Sequence, residues 1–161
     1  MSKDIEPEIR EVTPESWREL RDLYLKLLKS DPEAFADTYE EIASLGKEDW
    51  KKDLGRSGAT FVATDADKFV GMGRINFYDE LPGVPVLHKL GVFPEYRGKG
   101  IAQKLIEARE GWARSQGAEK VRLYVMAVNK AAIEFSRKNG YQVVENVHAG
   151  PPGQVIMEKM L

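Results

Sequence analysis

Apolar positions recur at helical spacing in the first part of the chain and alternate in its middle, so helices precede strands. Ile5 to Thr13 predicts a short extended segment. Pro14 then opens a helix in which Trp17, Leu20, Tyr24 and Leu27 share a face, and Asp31-Pro32 ends it. Residues 33 to 58 predict a short helical piece and a second amphipathic helix near Lys47 to Leu54, joined by an acidic stretch with Asp37, Glu40 and Glu41. Thr60 to Thr64 and Phe69 to Phe77 read as strands around the turn Asp65-Ala66-Asp67-Lys68, with Asp79 to Pro85 as a second turn. Val86 to Val92 is the next strand, and Gly91 within it signals a bulge or a close backbone approach.

From Gly100 to Gly117 the set Ile101, Leu105, Ala108 and Trp112 forms one helix face, widened by Ile106 and Ala113. Lys104, Glu107, Arg109 and Glu110 are expected to face water. Val121, Leu123 and Val125 alternate as a strand, Asn129 caps a helix carrying Ala132 and Phe135 that ends at Gly140, and Tyr141 to Val147 and Val155 to Leu161 finish as strands around Gly150-Pro151-Pro152-Gly153.

The 161 residues suit one domain, residues 1–161, with enough chain to bury a core. Lys and Arg (24) nearly balance Asp and Glu (26), so nothing points to nucleic acid or a membrane surface as partner. Cysteine is absent, which excludes disulfides, thiolate metal sites and a cysteinyl acyl-enzyme while leaving the redox compartment open. The charged start at Met1-Ser2-Lys3-Asp4 and the lack of an apolar run near the ~20 residues of a membrane span make a cytoplasmic protein the expectation. His88 and His148 belong to no ligand-spaced cluster, so no metal is expected.

The densest chemical signal is Leu90-Gly91-Val92-Phe93-Pro94-Glu95-Tyr96-Arg97-Gly98-Lys99-Gly100-Ile101-Ala102, a strand end, a basic glycine-rich turn and a helix start without a linker. Free N–H groups in such a turn and at a helix N-terminus suit a pyrophosphate. A plain surface turn explains neither the basic residues nor the downstream spacing. A dinucleotide fingerprint fails at Gln103, where a third small residue belongs, and the Gly-Lys-Ser/Thr phosphate loop is absent. Gly55-Arg56-Ser57-Gly58-Ala59 runs from helix to strand, the reverse of a nucleophile elbow, and ends in alanine.

The pattern Arg97-x-x-Gly100-x-Ala102, followed by Asn129 and Gly140-Tyr141, resembles the GNAT superfamily of acyl-CoA-dependent N-acyltransferases. The resemblance runs from about Ile5 to the end and is most specific over residues 86 to 141. It implies an α/β (mixed α+β) fold whose mostly antiparallel central sheet splays between the fourth and fifth strands and is flanked by helices.

Acetyl-CoA is then the implied acyl donor. Its arm would lie at Leu90, Gly91 and Val92, its pyrophosphate at the amides of Arg97, Gly98, Lys99, Gly100, Ile101 and Ala102, and Asn129, Ala132 and Phe135 would flank it. The Val92 N–H would polarise the thioester carbonyl. Where family members often carry a tyrosine that protonates the thiolate, this chain has Ser136; Ser136 or water is left to serve, or the fold is a non-catalytic acyl-CoA-binding module.

His88 matches a histidine that carries the amine's proton away in arylalkylamine N-acetyltransferases, with Glu80, Asp79, Glu40 and Glu41 as rivals. By alternation its side chain is expected opposite that of Gly91. Acidic residues at the presumed acceptor rim (Asp31, Glu33, Asp37, Glu40, Glu41, Asp79, Glu80) favour a small cationic amine, with a peptide N-terminus or lysine, and a homodimer, left open.

Overall fold

The computed structural model describes residues 6–144 and 153–161. The predicted segment around Met1 to Ile5, the end of the strand beyond Val144, His148 and most of the Gly150-Pro151-Pro152-Gly153 turn lie outside the described residues.

Seven strands form one sheet. They are β1 (Glu8–Glu11), β2 (Gly58–Asp65), β3 (Lys68–Tyr78), β4 (Leu81–Val92), β5 (Lys120–Met126), β6 (Gln142–Val143) and β7 (Gln154–Met160). Their spatial order is β1-β2-β3-β4-β5-β7-β6, and every neighbouring pair is antiparallel except β4–β5. The fold is therefore a mixed α/β architecture. The helices are α1 (Trp17–Ser30), α2 (Tyr39–Ala43), α3 (Lys47–Leu54), α4 (Ile101–Ser115) and α5 (Lys130–Lys138).

α1 buries Leu20, Tyr24 and Leu27 of the expected face and also Leu23, Leu25 and Leu28, while Trp17 at its start is only partly buried. The two faces of β3 separate the helices. Gly71 and Gly73 approach Ile101 and Arg109 of α4, whereas Arg74 reaches Asp53 of α3 and Gly91, paired with Met72, lies under Leu27 and Phe35.

Two expectations are corrected here. β4 begins at Leu81, and only Asp79-Glu80 turns: Tyr78 pairs with Leu81 and Asn76 with Val86, so a register shift absorbs the extra residues, including Pro82 and Pro85, within the strand. Arg109 and Glu110 of α4 do not face water. They are 2% and 4% exposed, on the buried stripe begun by Ile101 and Leu105, because each finds hydrogen-bond partners inside. Glu110 accepts from the Tyr141 hydroxyl at 2.7 Å and from Lys159 Nζ at 3.1 Å.

Candidate functional site

β4 and β5 touch through only two pairs, Val86 with Arg122 and Leu87 with Leu123, and then diverge. The opening exposes one edge of β4. Phe93 N donates to Val70 O at 3.0 Å, so by strand alternation the N–H and C=O of Val92 turn away from β3 toward the gap. The Val92 carbonyl is held there by Arg97 Nε at 3.1 Å, and the Arg97 Nη2 donates to Asp31 at 3.4 Å.

The bulge in β4 is not at Gly91. Met72 pairs with Gly91 and Arg74 with His88, so Lys89 and Leu90 together oppose Gly73, and Lys89 takes a φ of 55°. Gly91 answers instead to close approach: a Cβ there would lie 2.8 Å from Phe35 and 3.0 Å from Leu27. The bulge also reverses alternation, so His88 shares the α1 side with Gly91 rather than facing away. Lys89 reaches that same side, its Nζ 3.6 Å from Asp37 Oδ2 and 5.3 Å from the centre of the Tyr24 ring. Two consecutive ionisable side chains thus face one cavity, which a regular strand does not allow.

His88 sits in a polar chain. Arg74 Nε donates to Asn76 Oδ1 at 2.8 Å, and Asn76 Nδ2 donates to Ser57 O at 3.3 Å, which fixes the amide orientation. The His88 Nε2, 2.7 Å from that same Oδ1, is therefore the protonated nitrogen, and Nδ1 carries the lone pair. Burial, then the charges of Lys89, Arg74 and Arg109, hold the imidazole well below the ordinary histidine range.

Arg109 braces the bulge from the other face. Its Nη1 donates to Arg74 O at 3.2 Å and His88 O at 3.4 Å, and its Nε donates to Leu105 O at 3.1 Å. Gly73 makes room for it, since a Cβ at that position would stand 2.7 Å from Arg109 Nε. Burial lowers the guanidinium to about 10.

Where β4 ends, Gly98 and Gly100 take φ of 75° and 81° with open space around them, and Gly100 is the N-cap of α4. The first intrahelical bond runs from Lys104 N to Gly100 O, so the N–H groups of Ile101, Ala102 and Gln103 precede the ladder. Exposed Lys99 lies between the two glycines. This is a ready anion seat, with the positive end of α4 behind it.

A cavity of about 550 Å³ fills the splay. His88, Leu90, Glu80, Asn129, Ala132, Phe135 and Ser136 all line it, so sequence-selected residues from three parts of the chain meet there. Gly91, Val92 and Arg97 to Ala102 lie outside its lining, and the Arg97 N–H, expected free for a pyrophosphate, donates to Pro94 O at 3.2 Å. Asn129 Oδ1 caps α5 by accepting from Ala132 N at 3.1 Å. Ser136 is 5% exposed, and its hydroxyl donates to Ala132 O at 2.9 Å, an ordinary helix back-bond.

Of the acidic rim, only Asp37 and Glu80 line the cavity; Asp31 is engaged by Arg97, and Asp37 accepts from Tyr24 Oη at 2.7 Å. Sequence reasoning missed Lys89, Arg109, Tyr78 and Tyr124, which also line it.

A sequence profile described as "Acetyltransferase (GNAT) family" matches residues 16–141. Mycothiol acetyltransferase of Corynebacterium glutamicum (strain R) is 31% identical over 128 residues, which are 75% of this chain and 42% of that enzyme. The chain thus spans less than half the length of that relative. N-alpha-acetyltransferase 30 of Schizosaccharomyces pombe is 34% identical over 85 residues, 51% of this chain and 56% of that protein. Among solved structures, the PaiA N-acetyltransferase of Thermoplasma acidophilum in complex with coenzyme A superposes with a TM-score of 0.76 at 22% identity, covering 98% of this chain and all (100%) of that one. The GNAT domain of S. lividans PAT gives 0.78 at 20% identity, covering 96% and 90%.

Proposed function

The chain belongs to the GNAT acetyltransferase family, and from that premise we propose that it transfers an acetyl group from acetyl-CoA to a primary amine by direct attack, with both substrates bound at once. The observation that carries this reading is the splayed edge of β4, where the Val92 N–H turns into the gap that ends at the glycine-rich start of α4. The free amides of Ile101 and Ala102 and the exposed Lys99 suit a pyrophosphate, and the cavity suits an acyl arm beside Leu90, Asn129, Ala132 and Phe135.

The donor supplies an activated acyl carbon. The amine must be neutral to attack, and an alkylammonium of pKa about 10.4 must first lose a proton. Nδ1 of the neutral His88 relays that proton through water to solvent rather than holding it, since its own affinity for a proton is held low, with Glu80 of the cavity lining as the alternative. As the C–N bond forms, the Val92 N–H donates to the carbonyl oxygen where negative charge develops, a contribution of about 2.7 to 4 kcal/mol where comparable donors have been removed. The attacking nitrogen, now cationic, gives its second proton to water, and the C–S bond then breaks with its electron pair going to sulfur. A thiol of pKa about 8.5 leaves tolerably as the anion, so Ser136 or water suffices to return a proton.

Ser136 also favours a second reading. Its proton is committed to the Ala132 carbonyl, which is what a non-catalytic acyl-CoA-binding module would show. Thiol release from acetyl-CoA in the presence of a panel of amines separates the two: binding with turnover supports the transferase, binding without turnover on any amine the module.

A further inference from the structure

Lys89 is an unexpected residue at its position. A φ of 55° is one that glycine adopts freely and a lysine adopts at a cost of roughly 1 kcal/mol or more. The strained backbone aims the side chain at the cavity, where it is only 24% exposed. Its ammonium lies over the Tyr24 ring and 3.6 Å from Asp37 Oδ2, beyond hydrogen-bond reach, and that oxygen already accepts from Tyr24 Oη at 2.7 Å. Among the described residues no acceptor takes any of the three N–H donors of Lys89. Across the same cavity Arg109 bonds only to backbone carbonyls and has no carboxylate within ion-pair distance among the described residues.

Resting on the transferase reading, the geometry points to an acceptor that carries a carboxylate as well as its amine, of the amino-acid class, with the carboxylate received by the Lys89 ammonium. The bulge puts the carboxylate receiver next in sequence to His88, the proposed receiver of the amine's proton, and on the same side of the sheet. Both receivers line the same cavity, which suits an acceptor that carries both groups. Partly exposed, with only Asp37 at 3.6 Å as counter-charge and none of its N–H donors taken by an acceptor among the described residues, this ammonium has donors free for a ligand anion. A polyamine would instead bring a second ammonium against Lys89 and Arg109. Of the acidic rim that favoured a small cationic amine, Asp31 is engaged by Arg97 and Asp37 accepts from Tyr24 Oη beside Lys89, which leaves Glu80 as the cavity-lining rim carboxylate with no such partner among the described residues.

The test compares free amino acids, their carboxamides and 1,4-diaminobutane, with acetyl-CoA, by thiol release. The acids are expected to exceed their amides in kcat/KM by about tenfold or more, mostly through KM. Lys89→Gly relieves the backbone strain and so keeps the fold. In that variant the acid-to-amide ratio is expected to fall about tenfold, while Lys89→Arg retains it. Equal or better turnover of amides or the diamine by the parent protein overturns the inference and leaves the transferase reading standing, as does a Lys89→Gly variant that slows all acceptors alike. Calorimetric binding of the same acids and amides to the protein saturated with CoA decides the matter without turnover: acids bound no better than amides contradict the inference. If no amine releases thiol while acetyl-CoA binds, the transferase reading fails on its own terms.

Discussion

The Nε2–H of His88 donates to Asn76 Oδ1 at 2.7 Å, and the same oxygen accepts from Arg74 Nε at 2.8 Å. A charged donor and a neutral imidazole therefore share one acceptor, and the imidazole offers only Nδ1 to a proton. Its folded-state affinity for that proton is depressed by burial and by Lys89, Arg74 and Arg109.

The sign of the consequence follows. Below the ordinary histidine value of about 6.5 the unfolded chain binds a proton that the folded one resists, so His88 stabilises the fold above that pH and the contribution is lost as pH falls toward its depressed folded value. NMR titration of the His88 ring, assigned by its absence in His88→Gln, is expected to show no midpoint near 6.5. The variant should lose less stability between neutral and mildly acid pH than the parent. A midpoint near 6.5 contradicts the account of the site.

Gly73 and Arg109 form a lock whose parts depend on each other. Arg109→Met leaves the carbonyls of Arg74 and His88 without their donor, and about 2 kcal/mol or more of stability is expected to be lost by denaturant unfolding. Gly73→Ala drives a Cβ to 2.7 Å from Arg109 Nε and is expected to cost about 1 to 3 kcal/mol. With the guanidinium gone the added methyl has less to meet, so the double variant should be less destabilised than the sum. Strict additivity would mean that the two sites do not share the contact.

The loop and the lock differ in how far they could be read in advance. The turn at Gly98 and Gly100 is local: left-handed glycines, basic residues and a helix start are consecutive, so its geometry is written in a few adjacent residues. The stripes of α1 and α4 were legible for the same reason, apart from Arg109 and Glu110, whose burial depends on carbonyls, Tyr141 and Lys159 far along the chain. Gly91 signals a bulge or a close approach without choosing between them: it makes room for Phe35 and Leu27, whereas the bulge lies just before it and the left-handed residue is Lys89. A lysine at positive φ carries no signature in sequence. It is legible only in the β3–β4 register, and with it goes the side to which His88 points.

At the anion seat, Gly100→Asp puts a carboxylate at the N-cap of α4 where the donor's phosphates are proposed to sit. Calorimetry is expected to show CoA affinity reduced about tenfold or more. Gly117→Asp carries the same left-handed burden, φ 83°, at the far end of α4 and should leave affinity near that of the parent. Equal affinities in all three proteins would remove the loop from the binding site.

Ser136→Ala removes a hydroxyl whose proton already goes to Ala132 O. Turnover is expected to change by less than about threefold and stability by less than about 1 kcal/mol. A large loss of turnover with unchanged CoA affinity would assign Ser136 a direct part in returning the thiolate's proton.

The central claim, acetyl transfer from acetyl-CoA to an amine by direct attack, is tested most directly by initial-rate thiol release with both substrates varied. A protein without cysteine contributes no thiol background to this assay. The account predicts release that requires the amine, an N-acetylated product in equal amount, and double-reciprocal lines that intersect. Parallel lines with an acetylated protein competent for transfer, or tight binding of acetyl-CoA with no release on any amine, would contradict it.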